Sequence, residues 1–169
     1  RNFLPSIGRL TRYRPPVEGT TPRGGIVRND TGVFEGGEIS MFYDPMIAKL
    51  CTWGPTRHAA IEEMRLALDT FEVEGIGHNL PFVGAVMDHP RFVSGNITTA
   101  FIAEEYPDGF HGAPASDELA QTLAALAGFL ATARSDRARR VDQQLGDELD
   151  PPYEWSVKIG DSTFAVTLD

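Results

Sequence analysis

The sequence predicts an α+β fold in which an antiparallel sheet packs against helices, followed by a long helix and a hairpin. Changes in hydrophobic period carry this prediction. Alternating or short apolar runs, separated by Gly and Pro, occupy residues 8–53, and apolar residues then recur every three or four positions after Pro55. Alternation returns after Pro151-Pro152, where a second group of strands is expected.

Alternation and turn residues define the first strands. Ile39, Met41 and Tyr43 share one face of a strand that ends at Asp44-Pro45, because the residue before a proline disfavours regular continuation of the chain. Ile47 to Trp53 is mostly apolar and is predicted to be buried. The predicted strands of this part, on either side of a loop at 15–25, are residues 8–13, 25–30, 38–43, 47–53 and 73–76.

Four helices are predicted from apolar stripes and capping residues. A side-chain oxygen before the first apolar position satisfies a free backbone N–H, so Ser, Thr and Asn mark helix starts. The expected N-caps are Thr56, Asn79, Thr98 or Thr99, and Ser116. The first helix runs to Phe71, the second to Met87 and the third to Glu105. The long fourth helix carries an apolar stripe of Leu119, Leu123, Leu126 and Leu130.

A hairpin is predicted over residues 153–168. Apolar residues alternate on both sides of a two-residue Gly160-Asp161 turn. A single hairpin with so apolar a face is marginal in water, so further strands are expected to follow it. Together with the start at Arg1, this pattern predicts that the chain is an internal piece of a longer protein.

Composition excludes several classes of function. The chain has 24 acidic and 15 basic residues, a net charge of −9, which argues against nucleic-acid binding. The single cysteine, Cys51, lies in an apolar run and is predicted to be a buried structural thiol in a reducing compartment. No apolar run approaches the roughly 18 residues that span a membrane, so no membrane partner is expected.

Local motifs point to no complete catalytic or metal site. The Gly-Gly pairs lack the spacing of a phosphate loop, the four histidines lack metal-ligand spacing, and no serine has a nucleophile-elbow context. Lys49 lies in an apolar run and is predicted to form an ion pair with Asp44 or Glu38. A stand-alone hydrolase using Glu38 and Asp44 is an alternative that requires an exposed groove holding both carboxylates.

Several segments, in unbroken order over residues 1–106, resemble the C-terminal domain of biotin carboxylase. They include Tyr43-Asp44-Pro45-Met46-Ile47-Ala48-Lys49-Leu50, the Gly75-Ile76-Gly77-His78-Asn79 step and a closing segment at 92–101. The earlier matching segments are residues 3–10, 27–28 and 37–40. This resemblance implies the C-terminal part of an ATP-grasp fold, the domain that closes over the nucleotide site.

Tyr106-Pro107-Asp108-Gly109-Phe110 resembles the α chains of propionyl-CoA carboxylases, within the biotin-dependent acyl-CoA carboxylases. That narrower resemblance implies a bridging domain built from a long helix and a β-barrel. The expected organisation is a carboxylase C-terminal domain at 1–110, a linker and long helix at 111–152, and the start of the bridging domain at 153–169.

The resemblance implies a ligase that uses ATP, Mg²⁺ and bicarbonate to carboxylate biotin, and a carboxyltransferase β subunit that passes the carboxylate to propionyl-CoA. The catalytic arginine, metal-binding glutamates and glycine-rich loop are expected upstream of Arg1, so this piece alone is expected to be inactive and to bind none of these cofactors. Expected partners are the remaining domains of the α chain and the β subunit. The expected compartment is the bacterial cytoplasm or the mitochondrial matrix.

Three residues carry positional expectations from the resemblance. Thr99 matches a position beside the adenine, while Arg28 and Asp44 match positions near the dimer interface of homodimeric bacterial relatives. The alternative function, from another class, is a non-catalytic module that bridges subunits.

Overall fold

The chain forms two compact units, residues 1–113 (unit 1) and 114–169 (unit 2). The computed structural model describes residues 6–42, 44–113, 116–140, 146 and 149–168. Unit 1 contains β1 (Gly8–Arg9), β2 (Arg12–Arg14), β3 (Gly19–Thr20), β4 (Ile26–Thr31), β5 (Glu38–Ile39), β6 (Ala48–Trp53), α1 (Arg57–Asp69), β7 (Glu72–Glu74), α2 (Leu80–Asp88), α3 (Pro90–Ser94) and α4 (Phe101–Glu105). Unit 2 contains α5 (Asp117–Arg139), β8 (Glu154–Ile159) and β9 (Ser162–Thr167).

All strand pairs of both units are antiparallel, which confirms the α+β prediction. Unit 1 holds small sheets rather than one continuous sheet: β1 pairs with β5, β2 with β7, and β4 lies between β3 and β6. The predicted strand 8–13 is therefore two strands with different partners. The chain changes partner at Leu10, whose backbone N–H donates to Gly37 and whose carbonyl accepts from Gly36.

The core of unit 1 surrounds this crossing point. Leu10 is fully buried, and the other buried members of the cluster are Tyr13, Ile39, Phe71 and Val73. Tyr13 and Phe71 meet edge to face with their ring centroids 5.6 Å apart. This arrangement joins the two small sheets to the end of α1 through one set of apolar contacts.

Helix α1 follows its sequence pattern closely. Thr56 is the predicted N-cap, and its hydroxyl accepts the backbone N–H of Ala59. The helix packs on the sheet through Ile61 and Ala67, and Thr52 of β6 donates a hydrogen bond to the carbonyl of Ala60. Residue 54 is glycine because a Cβ there would lie 2.6 Å from the backbone nitrogen of Ala60.

Two further predicted strands differ from the structure. The strand expected over 38–43 contains only Glu38 and Ile39; the chain then turns, with the Ser40 hydroxyl accepting the N–H of Phe42. Met41 is 67% exposed, and Tyr43 lies outside the described residues. Strand β6 is an edge strand with one open face, so the prediction that 47–53 is buried was wrong.

The ion pair predicted for Lys49 is also absent from the described part of the chain. Lys49 lies on the open face of β6, opposite Asp30 of β4, and its side chain is exposed. An ammonium group in water does not need a carboxylate partner, so the ion pair predicted from the apolar neighbours of Lys49 was wrong.

Unit 2 consists of α5 and the predicted hairpin packed against it. Ser116 caps the helix as predicted, with its hydroxyl accepting the N–H of Leu119. The hairpin packs on small residues, because Ala124 and Gly128 are the buried positions of α5. The indole N–H of Trp155 donates to the Thr132 hydroxyl at 2.7 Å, which fixes β8 along the helix.

The predicted leucine stripe of α5 does not form this contact. Leu119, Leu123, Leu126 and Leu130, here called the leucine face, are 48%, 42%, 51% and 56% exposed. At 3.6 residues per turn these positions lie roughly opposite Ala124 and Gly128. Only small residues let the hairpin approach so closely: a Cβ on Gly128 would lie 2.8 Å from Val166.

Candidate functional site

The three helices α2, α3 and α4 of unit 1 enclose an apolar cavity of about 370 Å³, here called the α2–α4 cavity. Its polar residues, Thr98 and Thr99, lie on the segment between α3 and α4. Its other lining residues are Phe82, Val83, Val86, Phe92, Ile97, Phe101 and Ile102. An apolar cavity with a few polar groups at one side is the usual form of a small-molecule contact surface.

Thr98 and Thr99 have different roles in this segment. The Thr98 hydroxyl accepts the N–H of Ala100, and the Thr98 carbonyl accepts the N–H of Phe101, so Thr98 closes the turn into α4. Ala100 takes the N-cap position of α4, without a side-chain cap. The prediction that Thr98 or Thr99 is the N-cap of this helix was therefore wrong, and Thr99 is exposed at the cavity.

A charged cluster anchors the segment between α3 and α4. The Arg91 guanidinium of α3 contacts Glu104 at 2.7 Å and Glu105 at 2.5 Å, and its Nε donates to the carbonyl of Asn96. His89 Nε2 lies 3.1 Å from Glu105, while His89 Nδ1 accepts the N–H of Arg91. Because Nδ1 is an acceptor, the shared proton belongs on Nε2, and the imidazole donates it to Glu105.

Contacts within this cluster shift the pKa values of its members. The hydrogen bond from Arg91 lowers the pKa of Glu105, and the nearby His89 acts in the same direction, while partial burial opposes both. The hydrogen bonds to Glu105 and Glu104 raise the pKa of Arg91. Burial raises the pKa of Tyr106, which lies edge to face with Phe82 and Phe110. The aromatic rings and the charged cluster together fix α4 against α2 and α3.

Replacing Glu105 with glutamine is expected to lower the melting temperature of the intact protein by several degrees near neutral pH. A depressed pKa stabilises the fold above the ordinary value of 4.5, and that contribution is lost as the pH falls through the folded-state pKa. The deficit of the variant should therefore shrink in acid, which melting curves across the acid range would show.

The matched control is Glu104→Gln, which removes the more exposed of the two carboxylates on Arg91. Its effect on the melting temperature should be smaller and should vary less with pH. A Glu105→Gln deficit that stays constant or grows below 4.5 would contradict the assignment of Glu105 as the group that titrates here.

Arg28 and Asp44, the other predicted positions, lie away from the α2–α4 cavity and do not line it. Arg28 is exposed on β4, 3.1 Å from Asp30, and that carboxylate raises the pKa of the guanidinium. Asp44 is exposed in a turn, where its Oδ1 accepts the N–H of Met46. The structure leaves both side chains available on the surface of unit 1.

Cys51 lies beside Arg28 on the open face of the β4–β6 pair. Its Sγ is 3.8 Å from Arg28 Nη2 and its side chain is half-buried. The prediction of a buried structural thiol was wrong in this respect, because the apolar run that contains Cys51 is an edge strand with one face open.

The hydrolase alternative finds no support in the described residues. Glu38 and Asp44 are exposed, and neither lines the α2–α4 cavity. No cluster of three or more His, Cys, Asp or Glu side chains suited to a metal ion occurs in the described ranges. Among those ranges, no helix is long and apolar enough to cross a membrane.

Sequence reasoning missed helix α3 and the cluster around Arg91. Pro90 at the first helical position and Gly95 after the last, with φ of 83°, are the signals that mark this short helix. No local signal links Arg91 to Glu104 and Glu105, because that contact depends on how α3 and α4 pack.

The chain is similar to known proteins along nearly all of its length. Residues 1–104 match the model of the biotin carboxylase C-terminal domain. The chain is 56% identical over 183 residues to the propionyl-CoA carboxylase alpha chain of Ruegeria pomeroyi, covering 99% of this chain and 27% of that protein. It is 38% identical to the mitochondrial propionyl-CoA carboxylase alpha chain of Homo sapiens, covering 96% and 22%.

Solved structures agree with these relatives. The biotin carboxylase domain of Hydrogenobacter thermophilus 2-oxoglutarate carboxylase, in complex with MgADP, ADP and bicarbonate, has a TM-score of 0.57 and 34% identity, covering 66% of this chain and 23% of that one. Rhizobium etli pyruvate carboxylase has a TM-score of 0.57 and 32% identity, covering 78% and 12%. The chain spans about a quarter of the length of the curated relatives named above, at 27% and 22%. By its sequence, its fold and the match over residues 1–104, the chain belongs to the biotin carboxylase C-terminal domain family.

Proposed function

We propose that the chain is part of the α subunit of a biotin-dependent acyl-CoA carboxylase whose acyl substrate is propionyl-CoA. The observation that carries this proposal is 56% identity along 99% of the chain to a propionyl-CoA carboxylase alpha chain. In the complete enzyme, ATP activates bicarbonate, the carboxylate passes to biotin, and a carboxyltransferase β subunit transfers it to propionyl-CoA. The compartment is the bacterial cytoplasm or the mitochondrial matrix.

The cofactors of the complete enzyme follow from the same relationship. ATP, Mg²⁺ and bicarbonate are supported by the biotin carboxylase domain of Hydrogenobacter thermophilus, which was solved with MgADP, ADP and bicarbonate. In this proposal unit 1 closes over the nucleotide site, and the exposed Thr99 contacts the adenine.

The activity is tested with the full-length α subunit and its β subunit. Carboxylation of free biotin should require both ATP and bicarbonate. In the assembled enzyme, propionyl-CoA should give a higher kcat/KM than acetyl-CoA or 3-methylcrotonyl-CoA. A higher kcat/KM for 3-methylcrotonyl-CoA would reject the substrate assignment and keep the carboxylase assignment, whereas biotin carboxylation without ATP would reject both.

Replacing Thr99 with valine in the full-length subunit is expected to raise the KM for ATP by about five- to tenfold, the cost of one lost hydrogen bond. Valine has the shape of threonine and lacks the hydroxyl, so the packing around the α2–α4 cavity is retained. Steady-state kinetics at saturating bicarbonate measure the effect. The control is Thr163→Val on the exposed side of β9, and an unchanged KM for Thr99→Val would remove the residue from the site.

The alternative, a subunit-bridging module, is favoured by unit 2. Its leucine face presents four exposed leucines on one side of α5, a surface that soluble proteins normally cover. We propose that the rest of the bridging domain covers the leucine face and that this domain contacts the β subunit. The two functions are compatible, because unit 1 would serve the nucleotide site and unit 2 the assembly.

Arg28 and Asp44 are proposed as contacts between unit 1 and another subunit, since both are exposed. Sedimentation of the assembled enzyme carrying Arg28→Glu tests this proposal. A lower mass than that of the wild-type assembly is the expected result, and an unchanged mass would exclude a contact at Arg28.

A further inference from the structure

A second cavity of unit 1, of about 590 Å³, lies between the segment that follows β2 and one side of α1. It is here called the loop–α1 cavity. Its apolar wall is formed by Pro15, Pro16, Val17, Leu66 and Ala67. This volume is within the range of about 300–1,000 Å³ that small-molecule sites occupy. Because proline fixes its own φ, the loop side of the cavity is built from stiff backbone.

The loop–α1 cavity has a carboxylate in its wall. Glu63 lies on the inner face of α1 and is only 5% exposed. Its Oε1 accepts a hydrogen bond from the Thr21 hydroxyl at 3.1 Å. Its side chain is pressed against the backbone at Gly25, where an added Cβ would lie 2.5 Å from Glu63 Cγ. Glu63 is therefore held in one place, as a binding group requires.

The Glu63 carboxylate forms no ion pair in the described part of unit 1. Arg14 and Arg23 also line the cavity. Arg65, two positions along α1, forms ion pairs with Glu62 and Asp88 and not with Glu63.

The helical neighbours of Glu63 are apolar as well. The residues three and four positions away on α1 are Ala59, Ala60, Leu66 and Ala67. A buried carboxylate is costly without an opposite charge or a full set of hydrogen bonds. The cavity thus combines an apolar wall with a buried carboxylate that forms no ion pair among the described residues.

We propose that the loop–α1 cavity binds a small organic cation, namely a primary ammonium group carried on a flexible apolar chain. The ammonium group pairs with Glu63, and the chain lies against Pro16, Val17 and Leu66. This site is separate from the α2–α4 cavity and shares no lining residue with it. It does not depend on the carboxylase assignment, because it rests only on the charge and shape of this cavity.

The probe for this site is hexylammonium, titrated into the full-length protein and followed by ligand-observed NMR. Glutamine at position 63 keeps the shape of the side chain and an acceptor for the Thr21 hydroxyl. Glu63→Gln is expected to weaken binding by about tenfold or more, because a charge-assisted contact is lost. Hexan-1-ol, which has the same chain without the charge, should bind the wild-type protein at least about tenfold more weakly than hexylammonium.

Two further variants make the test specific. Glu72→Gln removes a carboxylate that lines the same cavity and is exposed and 3.8 Å from Arg12, and it should leave binding nearly unchanged. Leu66→Trp fills the cavity from a position that is 42% exposed, and it should abolish binding with Glu63 intact. The proposal is overturned if hexylammonium does not bind the wild-type protein, if Glu63→Gln or Leu66→Trp leaves its affinity unchanged, or if hexan-1-ol binds equally well.

Discussion

Replacing Leu126 with aspartate is expected to abolish binding of the carboxyltransferase subunit while ATP-dependent carboxylation of free biotin is retained. Leu126 lies on the leucine face and is 51% exposed, so the substitution leaves the packing of α5 on its own hairpin intact. A carboxylate on that face prevents apolar packing there, because an unpaired charge cannot be buried cheaply. Co-purification of the two subunits and the biotin carboxylation assay measure the two functions separately.

The control for this experiment is Ala125→Asp. It introduces the same charge one residue earlier, about 100° around the helix, at an exposed position outside the leucine face. This variant should bind the β subunit normally. Normal binding by Leu126→Asp would show that the leucine face has no part in assembly, and loss of biotin carboxylation would show that the two units are not functionally separable.

Replacing Gly75 with alanine is expected to destabilise unit 1 by about 3 kcal/mol or more. Gly75 has φ of 101°, where residues with a side chain are strained, and its added Cβ would lie 2.2 Å from the carbonyl oxygen of Arg9. The atoms that obstruct this Cβ belong to the backbone of Arg9 and Thr11. The N–H of Thr11 donates to the carbonyl of Glu74 at this crossing, so neither strand can move without breaking the pairing. The variant must therefore separate β2 from β7 or move Leu10 out of the core.

Amide hydrogen exchange of the intact protein tests this effect locally, in peptides that contain β2 and β7. Gly24→Ala is the matched control, since Gly24 also has a positive φ, of 81°, but has open space around the added Cβ. Its cost should be only about 1–2 kcal/mol, the strain of the backbone alone. Equal protection losses in the two variants would show that the contact with Arg9 does not matter.

The helices could largely be predicted from the sequence, and the strands only in part. Thr56 and Ser116 cap α1 and α5 as expected, because an N-cap depends on residues within one turn. The strand over 38–43 was predicted too long, since alternation in Met41 and Tyr43 says nothing about whether a neighbouring strand is present to pair with them. Pairing partners lie far away in sequence, as the split of 8–13 between β5 and β7 shows.

The candidate sites depend still more on distant contacts. Thr99 was identified as a candidate site residue through resemblance to a family, and the structure adds that it is exposed at the α2–α4 cavity. Arg91 and Glu105 are 14 positions apart, and Thr21 and Glu63 are 42 apart, so no local pattern connects either pair. A charged residue on an apolar helix face is visible in a sequence, but whether another segment supplies its counter-charge is decided only by the fold.

The two sides of α5 have a consequence for any screen that scores variants by the folding of unit 2. Such a screen would report strong selection at Gly128, where a side chain would collide with Val166, and near neutrality across the four leucines. Neutrality in that readout would record only that about half of each leucine side chain is exposed in the described part of unit 2. Tolerance of substitution at the four leucines would therefore be specific to a folding readout. A screen that measures subunit assembly should instead report strong selection at these leucines.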